Sequence, residues 1–380
     1  MLHTFLLILG LSHITFFGSS VCNGQGAEEV NHVKHGYAWL YAQLLDARHQ
    51  VDTAAGVYTY RNTSVNGINT IRHMEMLPTH LPADSGYAVI GLGLGNEGLH
   101  GAPDQQAVYD QWKANMQTII RMAQETGKTL VVTNNYPRGD YNASDYRYVK
   151  RMNLEMHEWE VPTVNFLGAL DNCEGNGQWA NGYQNGDDIY HPGQAGYVEM
   201  MHAFVPSLFD ALEAGKTKPS RQTGEGMTLG AGQRIVLTPE DQVHSFTLAF
   251  RVKNIRALQL NWTLSQGTAP SLPTLPDDAE WHTLVVTHYY AAGKTYVYLD
   301  NMLQGGAVSG KLLLTQLAVS GACTVSDLHF WRAGMNTDEV EAWHHHKMLC
   351  SSLELYCPLN GSMDNIAQSL NTIALIINRQ

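Results

Sequence analysis

Apolar and polar residues alternate along the chain in two different ways, and the change falls near residue 214. Before that point, apolar runs such as HITFF (13–17), YAVIGLGL (87–94) and TLVVT (129–133) are separated by segments with helical spacing. Buried parallel strands form continuous apolar runs, whereas amphipathic helices repeat about every 3.6 residues. The alternation of strand and helix predicts an α/β domain whose parallel sheet carries helices on both faces.

Four segments of this first region have helical spacing, and one further apolar run predicts a strand. Helices are predicted over residues 37–46, 104–125, 146–159 and 192–212, and the strand over residues 162–166. Gly127, just after the second of these helices, is a typical stop because glycine adopts the left-handed conformation at little steric cost.

The second region consists of short β-rich runs, with no helix predicted until its far end. Residues 281–289 and 295–299 are rich in β-branched and aromatic residues, and AAGK (291–294) joins them as a hairpin loop. Regular short strands with turns predict a sandwich of antiparallel sheets. The polar segment 214–225 contains Lys, Arg, Gly and Pro and is interpreted as a linker.

Composition and charge narrow the classes of function. The 380 residues suffice for two domains of ~100–200 residues each. The chain has 23 Lys and Arg against 35 Asp and Glu, a net charge of −12. An acidic surface repels phosphate backbones, so nucleic acid is not expected as a partner. Beyond the N-terminus no run of ~18 apolar residues occurs, so no transmembrane span is expected.

The N-terminus allows two interpretations. In one, residues 1–12 are an export signal with the apolar core LHTFLLILGL, and a first strand follows at residues 13–17. In the other, the signal extends through Phe17 and cleavage falls near Ser20, which removes a segment that the chemistry below needs. Either interpretation predicts a secreted or periplasmic protein.

Cysteine usage allows at most a sparse disulfide pattern. There are five cysteines, an odd number, so at least one is free or pairs outside the chain. Cys350 and Cys357 are close in sequence and are the expected pair in an oxidising compartment.

Four short blocks in the first region carry chemistry. Ser20 follows the first strand and therefore lies at the carboxyl edge of the sheet, where α/β proteins form their sites. Gly67 at a helix entry and Asn96 after another strand can each donate a hydrogen bond to an oxyanion. Asp188 and His191 are three residues apart, so the carboxylate can orient the imidazole as a base. Each block taken alone is better explained as an ordinary turn or helix entry.

Together, in this order and spacing, the four blocks resemble the SGNH, or GDSL-type, hydrolase superfamily over about residues 13–212. GNEGLHG (95–101) is similar to the third block of that superfamily, Gly-x-Asn-Asp followed by Gly. The resemblance implies a three-layer flavodoxin-like fold and a serine esterase without metal or cofactor. It implies the following roles: Ser20 as nucleophile, Gly67 and Asn96 as oxyanion donors, and Asp188 with His191 to complete the triad.

Two positions depart from the superfamily pattern. Ser19 stands where the Asp of Gly-Asp-Ser is found, and Glu97 stands where an Asp follows the third-block Asn. Neither position is the nucleophile or a donor, and the intact set of site residues argues against a decayed enzyme. Cys22 is an alternative nucleophile, but it lacks an orienting motif, and a small buried residue explains it better.

Other motif matches in the chain are weaker. Residues 93–98 fit G-x-G-x-x-G, but no helix opens there and the acidic residue of a dinucleotide site is missing. His344, His345 and His346 are consecutive on a predicted helix and point ~100° apart, so they cannot readily share one metal ion.

The second region resembles laminin-G-like, or concanavalin-like, jelly rolls over about residues 226–358. EWHTLVVT (280–287) and KTYVYLD (294–300) are similar to the core hairpin of that family, and residues 325–331 and 335–343 to its closing strand and short helix. The family binds glycans, proteins or no known ligand. Residues 359–380 are interpreted as a C-terminal tail.

The sequence is therefore interpreted as an exported two-domain serine esterase, with the hydrolase domain over residues 13–213. Such pairings resemble carbohydrate-active esterases that remove acetyl groups from polysaccharides. An acylated small molecule or polysaccharide is the expected substrate, and a glycan is the candidate ligand of the second domain. Two alternatives stay open: a lipid or thioester acyl hydrolase, and a non-catalytic glycan- or protein-binding module.

Overall fold

The structure is a computed structural model that describes residues 12–52, 58–81, 86–133, 136–222 and 224–377. The apolar segment 2–11, predicted as the core of an export signal, lies outside the described residues. Within those ranges, no helix is both long and apolar enough to cross a membrane.

Four parallel strands form the centre of the first domain. The strands of this domain are β1 (Ser12–Gly18), β2 (Glu29–Val30), β3 (Val33–Lys34), β4 (Tyr58–Asn62), β5 (Tyr87–Gly91), β6 (Thr129–Thr133), β7 (Gln184–Asn185) and β8 (Asp188–Pro192). Its helices are α1 (Tyr37–Asp52), α2 (Thr70–His80), α3 (Gln105–Gln124), α4 (Ala143–His157), α5 (Phe166–Leu170), α6 (Gln194–His202) and α7 (Leu208–Glu213). The sheet has the order β4-β1-β5-β6, and all its pairings are parallel.

Each face of this sheet has its own apolar core. Along β5, Val89 lies in a core formed with α1, α5 and α6, whereas Ala88 and Ile90 lie in a second core with α2, α3 and α4. Successive side chains of a strand point to opposite faces, so a strand covered on both sides must be apolar throughout. The predicted three-layer α/β fold is therefore confirmed.

The second domain is built from antiparallel strands. Its strands are β9 (Met227–Thr228), β10 (Gln233–Leu237), β11 (Phe246–Lys253), β12 (Gln259–Gln266), β13 (Trp281–Tyr289), β14 (Lys294–Leu299), β15 (Met302–Leu303), β16 (Val308–Ser309), β17 (Leu313–Ser320), β18 (Thr324–Trp331), β19 (Leu353–Cys357) and β20 (Ile373–Ile377), and its helix is α8 (Thr337–His344). One sheet has the order β12-β17-β10-β20, and the larger one is built on β15-β14-β13-β11-β18-β19. An apolar core that contains Phe250 of β11 and Leu317 of β17 lies between them. The prediction of an all-β second domain after an α/β first domain is confirmed, and the jelly-roll resemblance stays a prediction.

The strand predicted over residues 162–166 is wrong. Only one bridge forms there, between Thr163 and Val132 of β6, and α5 begins at Phe166. The backbone groups on the other side are engaged by the second domain, because the Ser352 amide donates to the Thr163 carbonyl and Ser352 Oγ accepts from the Asn165 amide, both at 2.9 Å. The second domain therefore occupies the hydrogen-bonding edge that a further strand would need.

The single helix predicted over residues 192–212 is also wrong. The segment contains the end of β8, then α6, then α7. Pro206 lies in the break between the two helices, and proline has no N–H to continue a helix through that point.

The segment interpreted as a C-terminal tail belongs to the sandwich. Within it, β20 pairs antiparallel with β10, with Ile373 opposite Leu237. The segment interpreted as a linker is held against the second domain, since Lys216 Nζ donates to the Asn365 carbonyl at 2.7 Å and Arg221 forms an ion pair with Asp327.

The predicted disulfide between Cys350 and Cys357 is wrong, because all five cysteines are free. Cys350 precedes β19 and Cys357 ends it. An extended strand rises ~3.3 Å per residue, so the two residues are held farther apart than the ~7 Å that a disulfide allows between Cα atoms.

The outer face of the larger sheet contacts α8 and the first domain. Trp331 and Tyr356 of the sheet and Trp343 of α8 are fully buried, and Leu154 of α4 packs against the same cluster. These aromatic residues are therefore part of the core and not a surface for sugar binding. The prediction of a glycan ligand for this domain remains untested.

A buried polar cluster joins the two domains. Glu339 of α8 accepts hydrogen bonds from Asn153 at 2.7 Å and from His157 and Asn165 at 2.9 Å. All three donors belong to the first domain, and all four residues are at most 1% exposed.

Candidate active site

Ser20 lies on the turn that leaves β1 at the carboxyl edge of the parallel sheet. This turn requires glycine at position 18, because a Cβ there would lie 2.4 Å from the Gly91 carbonyl oxygen and 2.7 Å from Cys22 Cβ. The backbone turns back at once, with the Gln25 amide donating to the Ser20 carbonyl at 2.9 Å. The Ser20 residue is 9% exposed, so its hydroxyl is reached only from one side.

His191 and Asp188 lie on β8, a short strand that brings them next to Ser20. His191 Nε2 is 2.9 Å from Ser20 Oγ, and His191 Nδ1 is 2.7 Å from Asp188 Oδ2. The sequence predicted a turn before a helix here. The residues are instead extended, and Asp188 reaches His191 because its side chain folds along the strand and also accepts from the Tyr190 amide at 3.1 Å.

The electrostatics of this pair favour an ionised aspartate. Burial by itself would raise the pKa of the Asp188 carboxyl, but the hydrogen bonds from His191 and from the Tyr190 amide outweigh burial, and the pKa lies below its ordinary value. A carboxylate at this distance holds the imidazole in one tautomer and stabilises its cation.

Two backbone amides and one side-chain amide border the same space. Among the described residues, neither the N–H of Ser20 nor that of Gly67 donates a hydrogen bond. Gly67 has φ +74°, in the left-handed region that favours glycine. Asn96 Nδ2 donates one hydrogen to the Ile68 carbonyl at 2.9 Å, which leaves its second hydrogen for another acceptor.

The two departures from the superfamily pattern differ in what they contact. Glu97 accepts from the Thr70 amide at 2.6 Å and from Thr70 Oγ1 at 3.1 Å, so it ties the loop that carries Asn96 to the first turn of α2, just after Gly67. Burial raises the pKa of the Glu97 carboxyl, opposed by these hydrogen bonds. Ser19 is buried, and its hydroxyl has no hydrogen-bond partner among the described residues.

A cavity of about 470 Å³ opens over Ser20 and His191. It is lined by Ser20, Gln25, Asn66, Gly67, Gly95, Asn96, Tyr136, Arg138, Tyr190 and His191. The sequence analysis did not predict Arg138 or Tyr190 as site residues. For Tyr190 a signal was available, because it directly precedes His191, the proposed base. No group of three or more His, Cys, Asp or Glu side chains in the ranges that the structure covers is arranged to hold a metal ion.

Cys22 lies in the apolar core beneath the Ser20 turn. It is 1% exposed, and burial raises the pKa of its thiol to about 11, with hydrogen bonds to Ser64 and Tyr37 acting in the opposite direction. A thiol with this pKa is protonated at neutral pH, and the thiolate is the nucleophilic form. The alternative nucleophile is therefore poorly suited to the reaction.

The family model of the GDSL-like lipase/acylhydrolase family matches residues 16–198, a range that contains all five predicted site residues. The first domain belongs to this family. The GDSL-like domain accordingly makes the protein an SGNH-type hydrolase acting on ester bonds.

Solved structures with similarity to the GDSL-like domain include an acetylxylan esterase from Geobacillus stearothermophilus. That structure is 15% identical, with a TM-score of 0.38, and the match covers 50% of this chain and 91% of the esterase. A catalytic mutant of the esterase from the same organism gives 14% identity, a TM-score of 0.39, and coverage of 50% and 91%. No curated protein sequence matches the chain.

Proposed function

We propose that the GDSL-like domain is a serine esterase in which Ser20 is the nucleophile, His191 the general base and Asp188 the residue that orients it. The observation that carries the proposal is the continuous hydrogen-bond chain from Asp188 through His191 to Ser20 Oγ, with distances of 2.7 and 2.9 Å. Nucleophile, base and orienting carboxylate within hydrogen-bond reach are the signature of covalent acyl transfer.

The first half of the reaction forms an acyl-enzyme. Ser20 Oγ attacks the ester carbonyl carbon while His191 Nε2 takes the hydroxyl proton. The resulting oxyanion accepts hydrogen bonds from the N–H groups of Ser20 and Gly67 and from the Asn96 amide. The bond from the carbonyl carbon to the alcohol oxygen then breaks, and His191 returns its proton to the departing alcohol.

The second half releases the acid. Water replaces the alcohol, His191 takes a proton from it, and the hydroxide oxygen attacks the acyl carbon. Collapse of the second tetrahedral intermediate breaks the bond to Ser20 Oγ, which regains its proton from His191. Asp188 stabilises the imidazolium that forms in both halves, and each oxyanion donor contributes ~10²–10³ in rate.

The proposal extends to an acetylated carbohydrate as the substrate. The residues that line the cavity are polar, aromatic or glycine, and none of those described is aliphatic. A long acyl chain would need an apolar wall to leave water, so the lining favours a short acyl group and a hydroxyl-bearing alcohol over a lipid.

The nucleophile is tested with a pair of adjacent serine variants. Hydrolysis of 4-nitrophenyl acetate is measured for the wild type, Ser20→Ala and Ser19→Ala. Ser20→Ala is expected to lose ~10³-fold or more in kcat, whereas Ser19→Ala removes only an unpartnered hydroxyl and keeps the activity. Equal activity of Ser20→Ala and wild type would overturn the assignment, and a wild type inert on short and long acyl esters would overturn the esterase function itself.

Export is the remaining part of the proposal. Strand β1 pairs with both β4 and β5, and its Ile14, Phe16 and Phe17 are buried, so the domain depends on this strand. This supports a signal that ends before β1 rather than near Ser20. N-terminal sequencing of secreted protein tests the proposal: a mature chain that begins after Ser20 would leave a non-catalytic module.

A further inference from the structure

Beside the proposed triad, Arg138 is held rigidly in one wall of the cavity. Its Nε donates to Asp140 Oδ1 at 3.0 Å and its Nη2 donates to Asp140 Oδ2 at 2.8 Å, a two-bond arrangement that fixes the guanidinium plane. The guanidinium contacts two rings, with its carbon 4.7 Å from the centre of Tyr190 and 5.4 Å from that of Tyr141. The side chain is only 10% exposed.

The nitrogen that Asp140 does not contact, Nη1, lies against Gly95. A Cβ at position 95 would be 2.1 Å from Nη1, so the missing side chain of Gly95 makes room for the guanidinium next to the oxyanion donor Asn96. An arginine has five N–H donors, and two of them are used on Asp140. The remaining donors sit in the wall of a cavity that also contains Ser20 and His191.

The Arg138 loop is also attached to the strand of the proposed triad. The Gly139 amide donates to the Ile189 carbonyl of β8 at 2.8 Å, and the Arg138 amide donates to the Gly177 carbonyl at 3.0 Å. Tyr190, which follows Ile189 and precedes His191, is 48% exposed although it is a large aromatic residue. The Tyr190 ring is therefore a flat, solvent-exposed surface whose position is fixed by its contact with Arg138. A ligand that stacks on this ring would displace water from it.

We propose that Tyr190 and Arg138 form the subsite for the alcohol part of the substrate, and that this part is a neutral, hydroxyl-bearing ring such as a pyranose. The inference rests on the proposed function. His191 must hand its proton to the departing alcohol, so the alcohol lies beside His191, and Tyr190 and Arg138 are the neighbouring wall. The Tyr190 ring stacks on the sugar face, and the free N–H groups of Arg138 donate to its hydroxyl oxygens.

The charged groups around Arg138 and Tyr190 favour a neutral sugar ring over one that carries a carboxylate. Asp140 neutralises Arg138, and Asp188, which accepts from the Tyr190 amide, adds a further negative charge nearby. A carboxylate-bearing sugar would meet no unbalanced positive charge from these groups, whereas hydroxyl groups need only donors and acceptors.

The test compares the acetate of a pyranoside with the acetate of a simple alkyl alcohol, which lacks both the ring and its hydroxyl groups. Acetate release from a mono-O-acetylated methyl pyranoside and from ethyl acetate is measured for each protein, and the ratio of the two kcat/KM values is the preference for the ring. We expect the wild type to favour the pyranoside. Tyr190→Ala and Arg138→Lys are each expected to reduce this preference ~10-fold or more, mainly by raising KM for the pyranoside. Tyr190→Ala removes the ring that stacks on the sugar, and Arg138→Lys removes hydrogen bonds from a charged group to its hydroxyl oxygens.

Two matched variants separate a binding role from a structural one. Tyr190→Phe keeps the ring and is expected to keep most of the preference. Arg256→Lys changes an exposed arginine of the second domain, 67% exposed, and is expected to behave as the wild type. Because Tyr190 is exposed, Tyr190→Ala remains a valid test even if Arg138→Lys fails to fold.

The outcomes distinguish this inference from the proposed function. If the wild type and both subsite variants hydrolyse the two acetates with the same ratio, the subsite is wrong while the esterase function stands. If Tyr190→Ala lowers both rates equally, Tyr190 acts through His191 and the subsite is again wrong. If the wild type hydrolyses neither acetate nor 4-nitrophenyl acetate, the proposed function fails and the subsite fails with it.

Discussion

Glu339→Ala removes the acceptor on which the buried contact between the two domains is centred. One oxygen of Glu339 accepts from Asn153, His157 and Asn165 of the GDSL-like domain. The other accepts from the Asn336 amide and so completes the capping box of α8. His157 Nδ1 accepts from the Ser351 amide at 2.8 Å, so the ring proton is on Nε2 and points at Glu339.

The loss in the free energy of unfolding can be estimated from the buried donors that Glu339→Ala leaves without an acceptor. Removing one partner from a buried charged contact costs about 3–5 kcal/mol, because the remaining polar groups stay desolvated. Loss of the cap adds about 1 kcal/mol, so at least about 4 kcal/mol is expected in the free energy of unfolding. At ~2.1 cal/mol/K per residue, 380 residues unfolding as one unit have an entropy of about 0.8 kcal/mol/K. The melting temperature should therefore fall by about 5 °C.

Differential scanning calorimetry of the full chain measures this effect. We expect one transition for the wild type, because the cluster couples the domains, and the same single transition about 5 °C lower for Glu339→Ala. Glu341→Ala is the matched control, since Glu341 is exposed on the same helix and should shift the transition by less than about 1 °C. Two separate wild-type transitions, or a Glu339→Ala shift no larger than that of the control, would refute the coupling.

Three further outcomes are expected. Burial raises the pKa of the Cys22 thiol to about 11, so only about a thousandth of it is thiolate at pH 8. Iodoacetamide, which reacts with the thiolate, should therefore leave the esterase activity intact, and rapid inactivation would contradict this. Asn96→Ala should lower kcat on 4-nitrophenyl acetate by ~10²–10³ with an unchanged circular dichroism spectrum, and a loss below threefold would exclude Asn96 as an oxyanion donor. Burial lowers the pKa of His73 to about 3 and that of His329 to about 4. The unfolded chain therefore binds more protons below pH ~6.5, and stability should fall on acidification by up to about 1.4 kcal/mol per pH unit for each histidine. A urea midpoint at pH 5.5 equal to or above that at pH 7 would refute this.

The sequence by itself determined the features that depend on neighbouring residues. The apolar runs of β1, β5 and β6 predict strands because a strand covered on both faces must be apolar throughout. The order of Ser20, Gly67 and Asn96 along the chain puts each after a strand or before a helix, and the carboxyl ends of parallel strands meet at one edge. The hairpin of β13 and β14 follows from alternation and a short loop, which are also local.

Only the tertiary structure decided the features whose hydrogen-bond partners are distant in sequence. Residues 162–166 have the composition of a strand, yet their backbone is bonded to Ser352, nearly two hundred positions later. Segment 373–377 looks like the end of a tail, yet it completes a sheet because β10 offers a free edge. Burial of a polar group is favourable only when its partner is brought to it by the fold.

Distance along the chain also explains why the sequence alone does not predict the proposed subsite. Arg138 has no signal in the sequence, and Tyr190 has only its place between Asp188 and His191. Contact between the Gly139 amide and the Ile189 carbonyl brings their segments together beside His191. A pattern of residue types identifies groups that can do chemistry, but which of them share a cavity depends on distances that only the folded backbone fixes.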